Sequence, residues 1–169
     1  KIGILGFGRL GKIVSEYATV FGMQVYYYDI DNSCNNENYI RSISLLELVG
    51  EVDVLSIHLD YNDSSHNIIN KDIFSQMKET IQIINTSRGG VVKEFDMIDF
   101  LRKNENAGYA TDVVYGEPNI KESSIVKYAK ENENVIITPH VGGNTYESIY
   151  KTEDFIADKF IKHIAKYEL

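Results

Sequence analysis

The sequence predicts an α/β fold, a doubly wound parallel sheet of about six strands with helices on both faces. Two observations predict it. Apolar runs alternate with helical patterns along the chain, and such alternation builds parallel sheets through helical crossovers. The runs are continuously apolar rather than alternating, as in strands covered on both faces. With 169 residues, 43% hydrophobic and 25% charged, the chain has the means to build one real core and does not resemble a disordered segment. No internal repeat, low-complexity block or Pro-rich linker divides it, so residues 1–169 read as one domain.

Ile2 to Leu5 is the first strand, and a glycine turn follows. A helix is expected from Arg9 to about Phe21, with Leu10, Ile13, Val14, Tyr17 and Ala18 on its apolar face and Gly22 as its stop. Val25 to Tyr28 is the second strand. Ser44 opens a short helix, Leu45 to Val49, and Val52 to Ile57 is the third strand. Ile69 to Met77 holds a helical turn or two, and Ile81 to Ile84 is the fourth strand. Glu94 to Asn104 reads as a helix with Phe95, Ile98 and Leu101 inward. Gly108 to Val113 is the fifth strand, a short helix lies around Ser124 to Lys130, and Val135 to Thr138 is the sixth strand. The last 25 residues form an amphipathic helix with Ile149, Ile156, Phe160 and Ile164 on one stripe.

Composition excludes several function classes. A net charge of −8 disfavours tracking of a nucleic-acid backbone. No apolar stretch approaches the roughly 20 residues of a membrane span, so no membrane partner is expected. A single cysteine, Cys34, permits no intrachain disulfide and fits a reducing, cytoplasmic setting. Cys34 lies in a polar run and reads as a bland thiol. His58, His66 and His163 are given no catalytic role, and no cluster has metal-ligand spacing.

Gly6-Phe7-Gly8-Arg9-Leu10-Gly11 is a GxGxxG placed directly after a strand and at the start of a helix. That context is what gives the motif meaning. Gly6 permits the tight turn, Gly8 lets a pyrophosphate approach the backbone, and Gly11 lets helix and strand pack closely. Free amides at the helix start then receive the phosphates. Asp29 ends the second strand, where its carboxylate can accept hydrogen bonds from both adenine-ribose hydroxyls and repel a 2′-phosphate. The sequence therefore predicts a Rossmann-type fold that binds NAD in preference to NADP. The competing reading is a structural glycine turn beside a solvated Asp.

Three further residues follow strands whose carboxyl ends form the ligand edge of such a sheet. Arg88 lies in Asn85-Thr86-Ser87-Arg88-Gly89-Gly90, Glu117 in Asp112-Val113-Val114-Tyr115-Gly116-Glu117-Pro118, and His140 in Thr138-Pro139-His140-Val141-Gly142-Gly143. A guanidinium holds a carboxylate with a planar fork of donors. A histidine exchanges a proton near neutral pH, and a carboxylate beside it orients the ring and favours the imidazolium. Taken singly, each residue also reads as an ordinary surface or turn residue.

Together these motifs resemble the nucleotide-binding domain of the D-isomer-specific 2-hydroxyacid dehydrogenases, from Ile2 to about Ser148. The resemblance implies an NAD-dependent oxidoreductase that passes hydride between nicotinamide and C2 of a 2-oxo or 2-hydroxy acid. It implies that Arg88 binds substrate, that His140 is the acid/base and that Glu117 is its partner. Arg9 and Leu10 would meet the pyrophosphate through their backbone, Thr86 and Asp112 would lie near the nicotinamide, and Gly142 and Gly143 would close beside it. A homodimer is also implied. Asp60 stands where the family usually has a proline. The family's second, substrate-binding domain has no counterpart here, and the start at Lys1, inside a strand, is expected of a piece of a longer protein. Such a piece is expected to bind NAD with little or no turnover of its own. NAD-responsive corepressors share the same motifs, so a binding module without turnover is the alternative.

Overall fold

The computed structural model describes residues 1–166. Its elements in chain order are β1 (Ile2–Leu5), α1 (Arg9–Val20), β2 (Val25–Tyr28), β3 (Ile40–Arg41), α2 (Leu45–Glu51), β4 (Val54–Ile57), α3 (Lys71–Phe74), β5 (Gln82–Asn85), α4 (Glu94–Lys103), β6 (Gly108–Thr111), α5 (Ser124–Ala129), β7 (Val135–Ile137) and α6 (Tyr146–Ile164). The chain divides into two compact units, Lys1–Thr138 and the segment from Pro139 onward.

The first unit holds the sheet. Among the described residues it has seven strands, all parallel, in the order β3-β2-β1-β4-β5-β6-β7. The strand beyond the expected six is β3, two residues long and set in polar sequence, which left it no periodic signal. The order reverses between β1 and β4, and ligands of open α/β sheets bind at that switch point. β1 is buried along its whole length. Ile2 and Ile4 pack with Phe7, Ala18, Val25 and Tyr27 in one cluster. Leu5 joins the larger one with Leu48, Val52, Leu55, Ile57 and Ile83.

Two expected helix faces are corrected. On α1 the buried residues are Gly11, Ser15 and Ala18, while Leu10, Ile13 and Tyr17 are exposed. A Cβ on Gly11 would stand 2.2 Å from the Gly6 carbonyl oxygen, so the helix approaches β1 too closely for large side chains beneath it. On α4 the residues turned inward are Met97, Ile98, Phe100 and Leu101, and Phe95 is exposed. The Ile69 to Met77 segment holds only the single turn of α3, capped by Asn70.

The second unit contains α6, whose Thr145 side chain accepts from the Ser148 amide at 3.2 Å. None of its residues is buried, so the apolar stripe of Ile149, Ile156, Phe160 and Ile164 is on the surface. Tyr167, Glu168 and Leu169, the end of the expected helix, lie outside the described residues. No described helix is long and apolar enough to cross a membrane.

Candidate functional site

The strand register aligns the ends of the strands. Leu5 pairs with Tyr28 and Ile57, Ile57 with Asn85, Asn85 with Thr111, and Thr111 with Ile137. These six residues form one row across the sheet. The next residue of each strand is therefore Gly6, Asp29, His58, Thr86, Asp112 or Thr138. The register alone sets Gly6, Asp29, Thr86 and Asp112 along one edge, although they are far apart in sequence.

At the switch point, Gly6 has φ +92°, and a Cβ there would lie 2.8 Å from the His58 carbonyl oxygen. No other residue fits that turn without strain. A Cβ on Gly8 would meet nothing within 4 Å, so the backbone faces open space. α1 starts at Arg9 with no side-chain cap and no acidic residue in its first turn. The other described α-helices have one or both of these. A helix start with neither a side-chain cap nor an acidic first turn suits an anionic ligand.

Asp29 faces this turn. Its Oδ2 accepts from the Phe7 amide at 2.7 Å and its Oδ1 from the Asp31 amide at 2.8 Å. Each oxygen keeps further acceptor capacity, as two ribose hydroxyls require. The open space at Gly8, the uncapped helix and this fixed carboxylate fit a dinucleotide.

The β5 and β6 ends form a second locus. Asn85 is fully buried. Its Oδ1 accepts from the Ser87 amide at 3.0 Å and the Ser87 hydroxyl at 2.8 Å, and its Nδ2 donates to the Arg88 carbonyl at 3.1 Å. Its own carbonyl accepts from the Asp112 amide at 3.0 Å and the Thr111 hydroxyl at 3.1 Å. A Cβ on Gly89 would stand 2.2 Å from the Val114 carbonyl carbon, so the two loops touch backbone to backbone. This framework carries Thr86 and Arg88, both exposed, beside the loop of Glu117. Arg88 Nη1 donates to the Ser87 carbonyl at 2.7 Å. Glu117, also exposed, accepts from the Val114 amide at 2.5 Å through Oε1. Asp112 is buried, and the Thr138 hydroxyl donates to its Oδ1.

His140, Gly142 and Gly143 belong to the second unit. All three are exposed, and His140 has φ +53°, a left-handed conformation that His adopts more readily than most residues. Among the described residues, no group of three or more His, Cys, Asp or Glu could hold a metal ion.

Two residues at this edge lie outside the predicted catalytic set. Asn85 stands at the end of an apolar strand, and a lone amide there was the available signal. His58 pairs its Nε2 with the Ser56 hydroxyl at 2.9 Å, while its buried Nδ1 has no partner. Burial pushes the His58 imidazole down to about 4, so the ring is neutral at pH 7. Cys34 is half-buried, and burial raises its thiol pKa, which keeps the sulfur protonated and supports the bland reading.

Comparison with known proteins agrees with this geometry. The family model described as "D-isomer specific 2-hydroxyacid dehydrogenase, NAD binding domain" matches residues 1–142. D-3-phosphoglycerate dehydrogenase of Haemophilus influenzae is 36% identical over 163 residues, covering 96% of this chain and 40% of that protein. The chain therefore spans less than half the length of this relative. The crystal structure of D-lactate dehydrogenase from Aquifex aeolicus, complexed with NAD and lactic acid, is similar with a TM-score of 0.79 and 30% identity, over 99% of this chain and 54% of that one. An acyclic imino acid reductase in complex with NADPH and D-Arg gives a TM-score of 0.84 at 25% identity, over 98% of this chain and 51% of that one. On the match over residues 1–142, the chain belongs to the NAD-binding domains of the D-isomer-specific 2-hydroxyacid dehydrogenases.

Proposed function

We propose that this chain is the NAD-binding part of a longer enzyme that interconverts a 2-hydroxy acid and its 2-oxo acid. The observation that carries the reading is the aligned row of strand ends, which brings the glycine turn, Asp29, Thr86 and Asp112 to one edge beside the Arg88 and Glu117 loops. When bound, NAD supplies the hydride acceptor, and NADH the donor. Gly6, Gly8, Arg9, Leu10 and Gly11 receive the pyrophosphate at the start of α1, and Asp29 receives the adenine ribose. Thr86 and Asp112 would lie at the nicotinamide end, the role that the family resemblance also gives Gly142 and Gly143.

Arg88 holds the substrate carboxylate and polarises the 2-oxo group with its planar donors. In reduction, protonated His140 gives its proton to the oxygen on C2; in oxidation, neutral His140 takes it back. Glu117 orients the imidazole and favours its charged form. The match, which covers 96% of this chain but only 40% of the Haemophilus influenzae relative, supports a separate substrate-binding part in the whole protein. The exposed apolar residues Tyr17, Val20 and Phe21 on and after α1 support a homodimer, which sedimentation of the full-length protein reads directly. The lone thiol of Cys34 suits a reducing, cytoplasmic setting.

The test is His140→Asn in the full-length protein. Turnover of the 2-oxo acid should fall by about 10²–10⁴-fold, with NADH affinity retained. Near-full turnover overturns the role of His140. Saturable NADH binding by an unsubstituted protein that turns over no 2-oxo acid favours the binding-module alternative instead.

A further inference from the structure

The loop after Asp29 is held by a side chain that the site above does not use. Arg41, on β3, reaches across that loop. Its Nη2 donates to the Asp29 carbonyl at 3.1 Å, the Asp31 carbonyl at 3.2 Å and Asn32 Oδ1 at 3.0 Å. Its Nη1 donates to the Asn32 carbonyl at 3.2 Å and the Cys34 carbonyl at 3.3 Å. The guanidinium also lies 5.9 Å from the ring centroid of Tyr27, which is fully buried. Tyr27 stacks on Phe7 at 4.0 Å, and its hydroxyl donates to Asn35 Oδ1 at 3.1 Å and accepts from the Asn36 amide at 3.2 Å. The Phe7 amide closes the circuit onto the Asp29 carboxylate.

We propose that Arg41 is a positioning residue for cofactor selection: by clamping the backbone of residues 29–34 it aims the Asp29 carboxylate at the adenine ribose. The inference rests on the reading of Asp29 as the ribose-binding residue. The clamp explains a feature that charge alone leaves odd. Arg41 is a cation bonded to the Asp29 carbonyl, yet its Nη donors are spent on loop oxygens. A planar fork satisfies that many oxygens together, whereas a lysine ammonium is a point charge. The charge and positioning roles therefore predict different outcomes.

The experiment is calorimetric titration of the full-length protein with NADH and, separately, NADPH, for the unsubstituted protein and for Arg41→Lys, Arg41→Gln and Asp29→Asn. Thermal melting and amide hydrogen exchange of residues 29–36 accompany it. If Arg41 positions Asp29, both Arg41 variants weaken NADH binding by about tenfold, the loss of one charge-assisted hydrogen-bond set. NADPH binding then changes by less than about twofold, and the loop amides exchange faster. Equal weakening of both cofactors, which is what loss of local structure alone produces, overturns the proposal. So does an Arg41→Lys protein indistinguishable from the unsubstituted one, which would make the charge sufficient. If Asp29→Asn leaves the NADH-to-NADPH ratio unchanged, the reading of Asp29 itself has failed. If Asp29→Asn narrows the ratio and the Arg41 variants do not, only the clamp has failed.

Discussion

The two loci on the carboxyl edge of the sheet are built differently. At the switch point, the group proposed to recognise the cofactor is also part of the framework. Both Asp29 oxygens hold main-chain amides, one of them inside the glycine turn. At the β5–β6 locus, the buried brace and the exposed candidate groups are different residues. Buried Asn85 and half-buried Gly89 brace the loops, while Arg88 and Glu117 stand exposed. Recognition of a constant cofactor tolerates fusion of the two roles. Chemistry on a substrate needs groups that can meet it, and the two proposed for it stand exposed, each also bonding within its own loop.

That contrast can be broken most sharply at Gly89. Its missing Cβ would overlap backbone, and backbone cannot swing aside as a side chain can. Gly89→Ala should destabilise the fold by about 3 kcal/mol, as overpacking against a rigid neighbour does. Denaturant unfolding reads this, and a stability within about 0.5 kcal/mol of the unsubstituted protein would mean that the two loops do not brace one another.

Arg88→Lys tests the other side of the division. Being exposed and outside the framework, it should leave the melting temperature in place and lower kcat/KM for the 2-oxo acid by about 10²-fold, equivalent to about 2.7 kcal/mol. A melting temperature that falls together with activity would make Arg88 a framework residue after all. Unchanged kinetics would remove it from substrate binding.

The smallest effect sharpens the comparison at the switch point. His58 titrates at about 4 in the folded chain because of burial, against an ordinary value of 6.5. Between those pH values the unfolded chain binds a proton that the folded one does not, so stability rises with pH through that interval. It is fully present above about pH 6.5 and is lost as pH falls towards 4. With His58 only half-buried, the contribution is about 1–2 kcal/mol. His58→Gln should flatten the dependence of unfolding free energy on pH between 4 and 6.5. An unaltered slope would show that His58 is not its source.

The switch point was legible in the sequence because its signals are local. The glycine spacing and the acidic end of the next strand lie within 29 residues and imply their own geometry. The inward face of α1 was not legible by apolarity. Close approach of the helix to β1 selects small residues, and the true signal was Gly11, Ser15 and Ala18 at helical spacing. Arg41 acts through partners that only the folded chain brings near, answering carbonyls on a loop up to 12 residues earlier. Asn85 bonds Ser87 and Arg88 of its own loop, and what the sequence did not show is its full burial and the Thr111 and Asp112 donors on its carbonyl. His140 is proposed from its chemistry and its place after the last strand, and its left-handed backbone had no counterpart in the sequence pattern.

The central place of β1 also sets the order in which the molecule can be made. Its Ile2 pairs with Val25 on one side and with Val54 on the other. A chain emerging from the ribosome therefore carries an apolar strand with one bare edge until β4 has been synthesised. Contacts that span such intervals form slowly, and an unpaired apolar edge invites association with other chains meanwhile. The strand that anchors the cofactor turn is made before β4 and must wait for it before its second edge is covered.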